Sequence, residues 1–279
     1  MTRGQLHPDR RYLDKWQMHL ALTHAAIQGL HLPATKLLAH IQASDFQQCA
    51  SWYVKPLGTW GGQHIAKIEK GNMGWQMKQD GRYEQFPDEM TLLQRLYAAY
   101  APTETIVQQT APVATLTGKP FDVRVLCQRD AKDTWLIAGW LARVGREDSI
   151  VSNIGTGHGQ VLPLPHLLKQ LYKDKDKGRH VKQKLQRHSL AICRMLDTYH
   201  AFEEVGIDFG LSAQGQVWLF EVNTNDMLGG PSHELFKALP DNKLYTEITA
   251  RADARQRQFL HDLLHDITHY ESSAFHNRE

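Results

Sequence analysis

Gly206-Ile207-Asp208-Phe209-Gly210, a polar turn at Ser212-Ala213-Gln214-Gly215, and then Gln216-Val217-Trp218-Leu219-Phe220-Glu221-Val222-Asn223 form the stretch on which the fold turns. Two apolar runs flanking such a turn predict a β-hairpin. Side chains two apart on a strand share a face, so Glu221 and Asn223 point the same way. Asp208 falls on the partner strand, and three oxygen-bearing side chains therefore converge. Mg²⁺ takes such hard ligands and keeps positions open for water and phosphate oxygens. A polar hairpin edge facing water carries the same residues. A carboxylate in an otherwise apolar strand needs a partner, which weighs against the plain edge.

The chain has 279 residues, a formal charge of +2 and 42% hydrophobic residues. That length fits one domain with two lobes, or two small domains. Nothing in the composition calls for nucleic acid. Cys49, Cys127 and Cys193 show no paired spacing, which argues for a reducing compartment and against a disulfide framework or zinc site. The start of the chain is polar and charged, so no signal peptide is expected. No apolar run approaches the roughly 20 residues of a membrane span. The cytoplasm is the expected location.

Tyr12–Gln28 has helical spacing, with Gly29 as a stop and Leu32-Pro33-Ala34-Thr35 as an extended exit. Lys15 falls in the first turn, where a cation opposes the helix dipole; an anionic partner or neighbouring Asp14 answers it, and a surface lysine is the bland alternative. Trp52-Tyr53-Val54-Lys55-Pro56 reads as a strand, Leu57–Gln63 (with Gly58, Gly61 and Gly62) as a glycine-rich loop, and Ile65–Glu69 as a second strand. Strand–loop–strand is not a Walker A loop, which opens a helix and ends in Gly-Lys-Ser/Thr. Glycines let backbone N–H groups approach an anion, and Lys55 at the strand end is placed to hold a phosphate. An ordinary hairpin tip has the same glycines.

Gly71–Gly81 reads as a second hairpin, Asp88–Tyr100 as an amphipathic helix, and Thr105–Gln109 as a strand with a polar exit. Asp122 and Arg124 share one face of the strand Phe121–Cys127, and Trp135–Arg143 pairs with it and brings Arg143 near. Such charges also arise as simple cross-strand pairs. Ser149–Asn153 leads into the glycine-rich 154–159, which suits a loop closing over substrate. Tyr172–His180 is a charged run expected to be a solvated linker, and Val181–Glu203 a long helix. In the final helix, Tyr245–Tyr270, His261, His265 and His269 repeat at helical spacing, but Asp262 stands where a metalloprotease motif needs Glu.

In this order the residues resemble an ATP-grasp protein, specifically the YheC/YheD-type (endospore coat-associated) proteins and, more distantly, the RimK-like amide ligases. Asp14-Lys15-Trp16, Leu32–Thr35, Val54-Lys55-Pro56, Val107-Gln108-Gln109, Asp122-Val123-Arg124, Ser152-Asn153, Asp208 and Glu221-Val222-Asn223 carry the resemblance. It implies an α+β ATP-grasp fold, with two α/β lobes clasping ATP. Residues 1–110 form the first lobe, with a lid subdomain at about 50–110, and 111–279 the second, with the metal site and terminal helix. Lys15 and Lys55 are implied to reach nucleotide phosphates, Gly58, Gly61 and Gly62 to cover them, and Gln109 and Thr110 to flank adenine. Asp122 and Ser152 are implied nucleotide contacts. Arg124, Arg143 and Asn153 are the implied catalytic residues. Asp208, Glu221 and Asn223 are implied ligands of two Mg²⁺ ions, for which Mn²⁺ can substitute.

The implied reaction is ATP-dependent ligation of a carboxylate to an amine on an amino acid, peptide or protein, releasing ADP and phosphate. Lysines, arginines and Mg²⁺ are the parts such chemistry needs, because the protein mainly positions reactants and neutralises charge. The resemblance begins near residue 12, which leads to the expectation that the usual N-terminal domain is lacking and is replaced by a partner protein or a second subunit. Neither nucleic acid nor membrane is an expected partner. A non-catalytic, spore-associated structural protein is the alternative from another class.

Overall fold

The computed structural model describes residues 5–6, 12–59, 63–147, 149–150, 159–224 and 232–276, with side chains described to Gln258 and at His261. Gly61, Gly62, Ser152 and Asn153, all expected at the site, lie outside the described residues. Two antiparallel sheets carry the architecture. The first contains β1 (Thr35–Leu37), β2 (Ser51–Pro56), β3 (Ala66–Gly71), β4 (Gly74–Gln79), β5 (Arg82–Phe86) and β6 (Thr105–Gln109) in the order β1-β6-β2-β3-β4-β5. Helix α1 (Lys15–Ala25) precedes it in the chain, and α2 (Glu89–Tyr100) connects β5 to β6. Gly71 and Gly81 are not the ends of one hairpin: they sit at successive turns on either side of β4.

Alternation sets the faces of this sheet. Trp52 and Val54 of β2, Ile68, Trp75, Met77 and Val107 join Leu92 and Leu96 of α2 in one core. Residues between them, Tyr53, Lys55 and Gln108, turn to the opposite face, where all three line a cleft. Asp88 caps α2 by accepting from the Thr91 backbone N–H at 2.7 Å, as the sequence Asp-x-x-Thr before an apolar repeat leads one to expect.

The second sheet holds β7 (Phe121–Arg129), β8 (Trp135–Val144), β9 (Gln160–Pro163), β10 (Glu204–Leu211) and β11 (Val217–Asn223) in the order β11-β10-β7-β8-β9. Phe121, Val123, Val125 and Cys127 of β7, with Val205, Ile207, Phe209 and Leu211 of β10, form the largest core with α1, α3 (Leu164–Leu171) and α4 (Lys175–Leu196). The residues of opposite parity face the other way. Leu126 is covered there by Phe236, Leu239 and Ile248, the last in the terminal helix α5 (Asn242–His276). Asp122, Arg124 and Asp208 lie on this same face, beyond that cover.

Two sequence expectations shift. The charged run ending at His180 is not a linker: Lys175–His180 form the first turns of α4, with the Asp174 carboxylate accepting from Asp176 N–H at 2.8 Å as its cap. The helix stops at Leu196 rather than Glu203. Secondly, Leu13, Met18, Ala21 and Leu22 belong to the core of the second sheet, although they precede the first sheet in sequence. The apolar side of α1 packs against α4, in the core of the second sheet rather than that of the sheet that follows it in sequence.

Candidate functional site

A cleft of about 270 Å³ lies between the sheets. Pro33, Ile65, Ala111, Val113 and Phe121 make one part of its wall apolar, while Lys55, Asp122, Arg143, Asp208 and Glu221 supply charge. Gln109 and Thr110 also line it. Their backbone belongs to the strand exit, where Gln109 N–H donates to Ala34 O and Thr110 N–H to Ser51 O.

The hairpin pairs Gly206 with Asn223, Asp208 with Glu221, and Phe209 with Leu219. Phe220 is therefore an extra residue, a β-bulge. The bulge decides the face of Glu221. Val217 and Leu219 point into the core, and strict alternation would send Glu221 after them. One added residue restores Val222 to the core and leaves both Phe220 and Glu221 on the cleft. Bulges commonly re-aim side chains beside a site in this way.

Asp208 is the centre of a buried lattice. Arg124 holds it through Nε and Nη2, the latter at 2.8 Å from Oδ2. Arg143 Nη2 approaches Asp208 Oδ2 at 2.8 Å, and Arg143 also holds both oxygens of Asp122 at 2.7 Å. Cross-strand register accounts for the grouping, since Asp208 faces Arg124 and Asp122 faces Arg143. Burial raises the Asp208 pKa, but Arg124 and Arg143 outweigh it and hold the carboxyl at about 2. Burial alone would lower Arg143; Asp122 and Asp208 instead push it above the usual arginine value. The expected nucleotide contact Asp122 thus has both oxygens committed to Arg143.

Lys15 is not a surface lysine. Its ammonium donates to Thr59 O at 2.8 Å and stands 3.6 Å from Glu221 Oε1. Asp14 caps α1 through bonds from Trp16 and Gln17 N–H, both 2.8 Å, which offsets the placement of Lys15 at the positive end of the helix. Gly58 follows β2 in a turn with open space around its Cα. Lys55 Nζ donates to Gln108 Oε1 at 2.6 Å and lies 5.5 Å from the Tyr53 ring centroid. Four cations, Lys15, Lys55, Arg124 and Arg143, thus meet three carboxylates, Asp122, Asp208 and Glu221, giving a local surplus of positive charge suited to an anionic ligand.

Glu221 is the more accessible acid: its side chain is 39% exposed and, among the described residues, meets Lys15 alone in ion-pair range. Asn223 donates Nδ2 to Gly206 O at 3.4 Å, leaving its amide oxygen as an acceptor. Among the described residues no group of three or more His, Cys, Asp or Glu is arranged to hold a metal ion. Mg²⁺ does not need such a cage, because one or two carboxylates plus substrate phosphates suffice. Glu221 and Asn223 fit that requirement directly; Asp208 fits it only with oxygens shared with two guanidiniums.

Sequence reasoning missed Gln108, Thr35, Tyr53 and Phe220. Tyr53 Oη donates to Ile150 O at 2.9 Å and so ties β2 to the segment that follows β8. Its parity with Lys55 was the readable signal. Gly206 is the close-approach point of the lattice: a Cβ there would lie 2.5 Å from Ser232 Oγ and 2.9 Å from Arg124 Nη1. Gly206→Ala is therefore expected to displace Arg124 and destabilise the fold by about 1–3 kcal/mol. Urea unfolding checks this; a midpoint equal to that of wild type contradicts the packing.

Two antiparallel sheets clasping a cation-rich cleft define the ATP-grasp fold. The chain belongs to the family described as YheC/D like ATP-grasp, whose sequence model matches residues 6–251. It is 25% identical over 226 residues to the endospore coat-associated protein YheD of Bacillus subtilis (strain 168), covering 77% of this chain and 49% of that one. The chain thus spans about half the length of this curated relative. Among solved structures, N5-carboxyaminoimidazole synthetase from Staphylococcus aureus, complexed with ADP, is similar at 12% identity and a TM-score of 0.48, over 80% of this chain and 47% of that one. N5-carboxyaminoimidazole ribonucleotide synthetase from Thermotoga maritima is similar at 12% identity and a TM-score of 0.44, over 86% and 48%.

Proposed function

We propose that this protein is an ATP-dependent carboxylate–amine ligase. The observation that carries the reading is the inter-sheet cleft, apolar along one wall and charged along another, with Lys15, Lys55, Arg124 and Arg143 set against Asp122, Asp208 and Glu221. The apolar wall and the strand exit at Gln109 and Thr110 suit a flat base. The lysines suit the phosphates, as compact point charges. In the first step a substrate carboxylate oxygen attacks the γ-phosphorus, ADP leaves, and an acyl phosphate forms. In the second an amine attacks the acyl carbon, phosphate leaves, and the nitrogen loses a proton to give the amide.

Arg143 is proposed to face the transferred phosphoryl group, oriented by Asp122 and Asp208, and Arg124 to stand behind it. Glu221 and Asn223, with Asp208, would hold Mg²⁺, which when bound neutralises phosphate charge and fixes phosphate geometry. Gly58, Gly61 and Gly62 are proposed to cover the phosphates, and Ser152 and Asn153 to complete the site from the next loop. The lid at about 50–110 is proposed to close on ATP as a unit. The amine belongs to an amino acid, peptide or protein, and the cytoplasm is the proposed location. No helix among the described residues is long and apolar enough to cross a membrane.

ADP release with MgATP and pooled amino acids and short peptides tests the reading. Substrate-dependent ADP from the wild type supports it. ATP binding without any turnover, across pools that include acidic peptides, counts against ligation. The association of the Bacillus subtilis relative with the endospore coat favours a second reading, a spore-associated interaction protein with a non-catalytic ATP-grasp fold. Absence of both ATP binding and turnover favours that one.

A further inference from the structure

Lys55 does not stand alone in the cleft. Its partner Gln108 lies on β6, the strand between β1 and β2. In register, Gln108 is opposite Thr35 on one side and Tyr53 on the other. Lys55 is one step diagonal to Gln108, within reach of a long side chain. Lys55 Nζ donates to Gln108 Oε1 at 2.6 Å; Gln108 Nε2 donates to Thr35 Oγ1 at 3.0 Å; Thr35 Oγ1 donates to Pro33 O at 2.9 Å.

The direction of this chain is fixed by its end. Pro33 offers a carbonyl, which only accepts, so the single Thr35 hydroxyl proton is spent on it. Thr35 can then only accept from Gln108, which forces the amide nitrogen toward Thr35 and the amide oxygen toward Lys55. A flipped amide would set its NH₂ group against an ammonium and leave Thr35 Oγ1 without a donor. Gln108 and Thr35 are both buried, where a polar group without a partner is costly. Each member of the chain is thereby satisfied. Among the described residues, the other two ammonium protons of Lys55 have no acceptor.

We propose that Gln108 and Thr35 are positioning residues that hold the Lys55 ammonium in the cleft for a nucleotide phosphate. This inference rests on the nucleotide-binding reading above. The Leu32-Pro33-Ala34-Thr35 segment thereby ends a hydrogen-bond chain whose other end is a phosphate-binding cation. The same chain explains how a half-buried lysine keeps a useful charge. Burial draws Lys55 down to about 8, with Lys15 acting in the same sense; Glu221 and Asp208 push it up. The Tyr53 ring lies beside it, and the Gln108 oxygen accepts one of its protons.

The test is MgATP affinity, measured by calorimetry on the folded full chain. Thr35→Val removes the hydroxyl while keeping the shape, and is expected to raise Kd about fivefold; Thr35→Ser is expected to stay within about twofold of wild type. Gln108→Leu is expected to raise Kd about tenfold. In a Lys55→Ala background both substitutions are expected to change Kd less than about twofold, because coupled residues do not add. Wild-type affinity is expected to weaken as pH rises through about 8, where Lys55 loses its proton. In Gln108→Leu that loss is expected at lower pH, a shift a merely structural role does not produce. Should Gln108→Leu not fold, Thr35→Val and its cycle with Lys55→Ala carry the test. ATP binding that is lost in Lys55→Ala yet unchanged in Thr35→Val and Gln108→Leu overturns this inference alone, as does an equal loss in the Lys55→Ala background. No ATP binding by the folded wild type overturns it together with the nucleotide reading.

Discussion

Asp208→Ala is expected to lower the unfolding midpoint by roughly 10 °C, from a loss of about 3–5 kcal/mol. The cause is the arrangement, not the number of ion pairs. Asp208 bridges both guanidiniums, accepting from Arg124 through two bonds and from Arg143 through a third. Its removal takes from the buried Arg124 the carboxylate that holds its Nε and Nη2, and takes away the negative charge that Arg124 and Arg143 share. Asp122→Ala is expected to cost less, because Arg143 keeps Asp208. Calorimetric melting of the two variants decides the matter: equal midpoints, or Asp122→Ala the weaker protein, contradict the assignment of Asp208 as the shared node.

The same lattice sets a pH limit. The Asp208 carboxyl is held at about 2, below its ordinary 3.8. A depressed carboxyl pKa contributes stability that is present above the unfolded value and lost as pH falls through the folded one. The contribution of Asp208 is therefore full above about pH 4 and disappears toward pH 2. The stability gap between wild type and Asp208→Ala is expected to narrow over that window.

Glu221→Ala is expected to leave stability nearly unchanged while abolishing substrate-dependent ADP release, a loss of at least about a hundredfold. Glu221 is the partly exposed acid of the site, and its one ion pair among the described residues, to Lys15, spans 3.6 Å. A pair of that length with one partner exposed contributes little to folding, and Lys15 keeps its bond to Thr59 O at 2.8 Å when Glu221 is removed. In the proposed reaction its oxygens hold the cation that bridges to phosphate. The comparison with Asp208→Ala separates two kinds of acidic residue in one hairpin: one holds the arginine lattice together, the other faces the cleft. Turnover by Glu221→Ala within tenfold of wild type contradicts the proposed metal role.

Much of the fold was legible because the hydrophobic pattern of each strand is strong and local. β2, β6, β7, β8 and the β10–β11 hairpin fall where period-two alternation places them, and α2 starts at the Asp88 cap. The pairing of Asp122, Arg124 and Arg143 was legible too, since residues sharing a strand face stay together when neighbouring strands align. Less local features were not. Leu164–Leu171 folds as a helix although its start has no side-chain cap. Lys175–His180 joins α4 because Asp174 caps it, while its charge density reads as linker. Gln108 was passed over for Gln109, since nothing in one strand shows that its hydrogen-bond partners on the flanking strands are Thr35 and Lys55.

The sequence by itself determined that Glu221 and Asn223 share a face, that Asp208 stands on the partner strand, and that lysines and glycines flank a strand exit. These follow from side-chain period and turn chemistry, which act over a few residues. Only the tertiary structure decided which face that was. The bulge at Phe220 turns Glu221 out of the core because Leu219 and Val222 must both be buried. Only the structure, too, decided that Asp208 is shared by two arginines, and that a threonine some twenty residues before Lys55 fixes the orientation of that lysine's partner. Register between distant strands sets those contacts, and register is chosen by burial of the whole sheet rather than by any one segment of the chain.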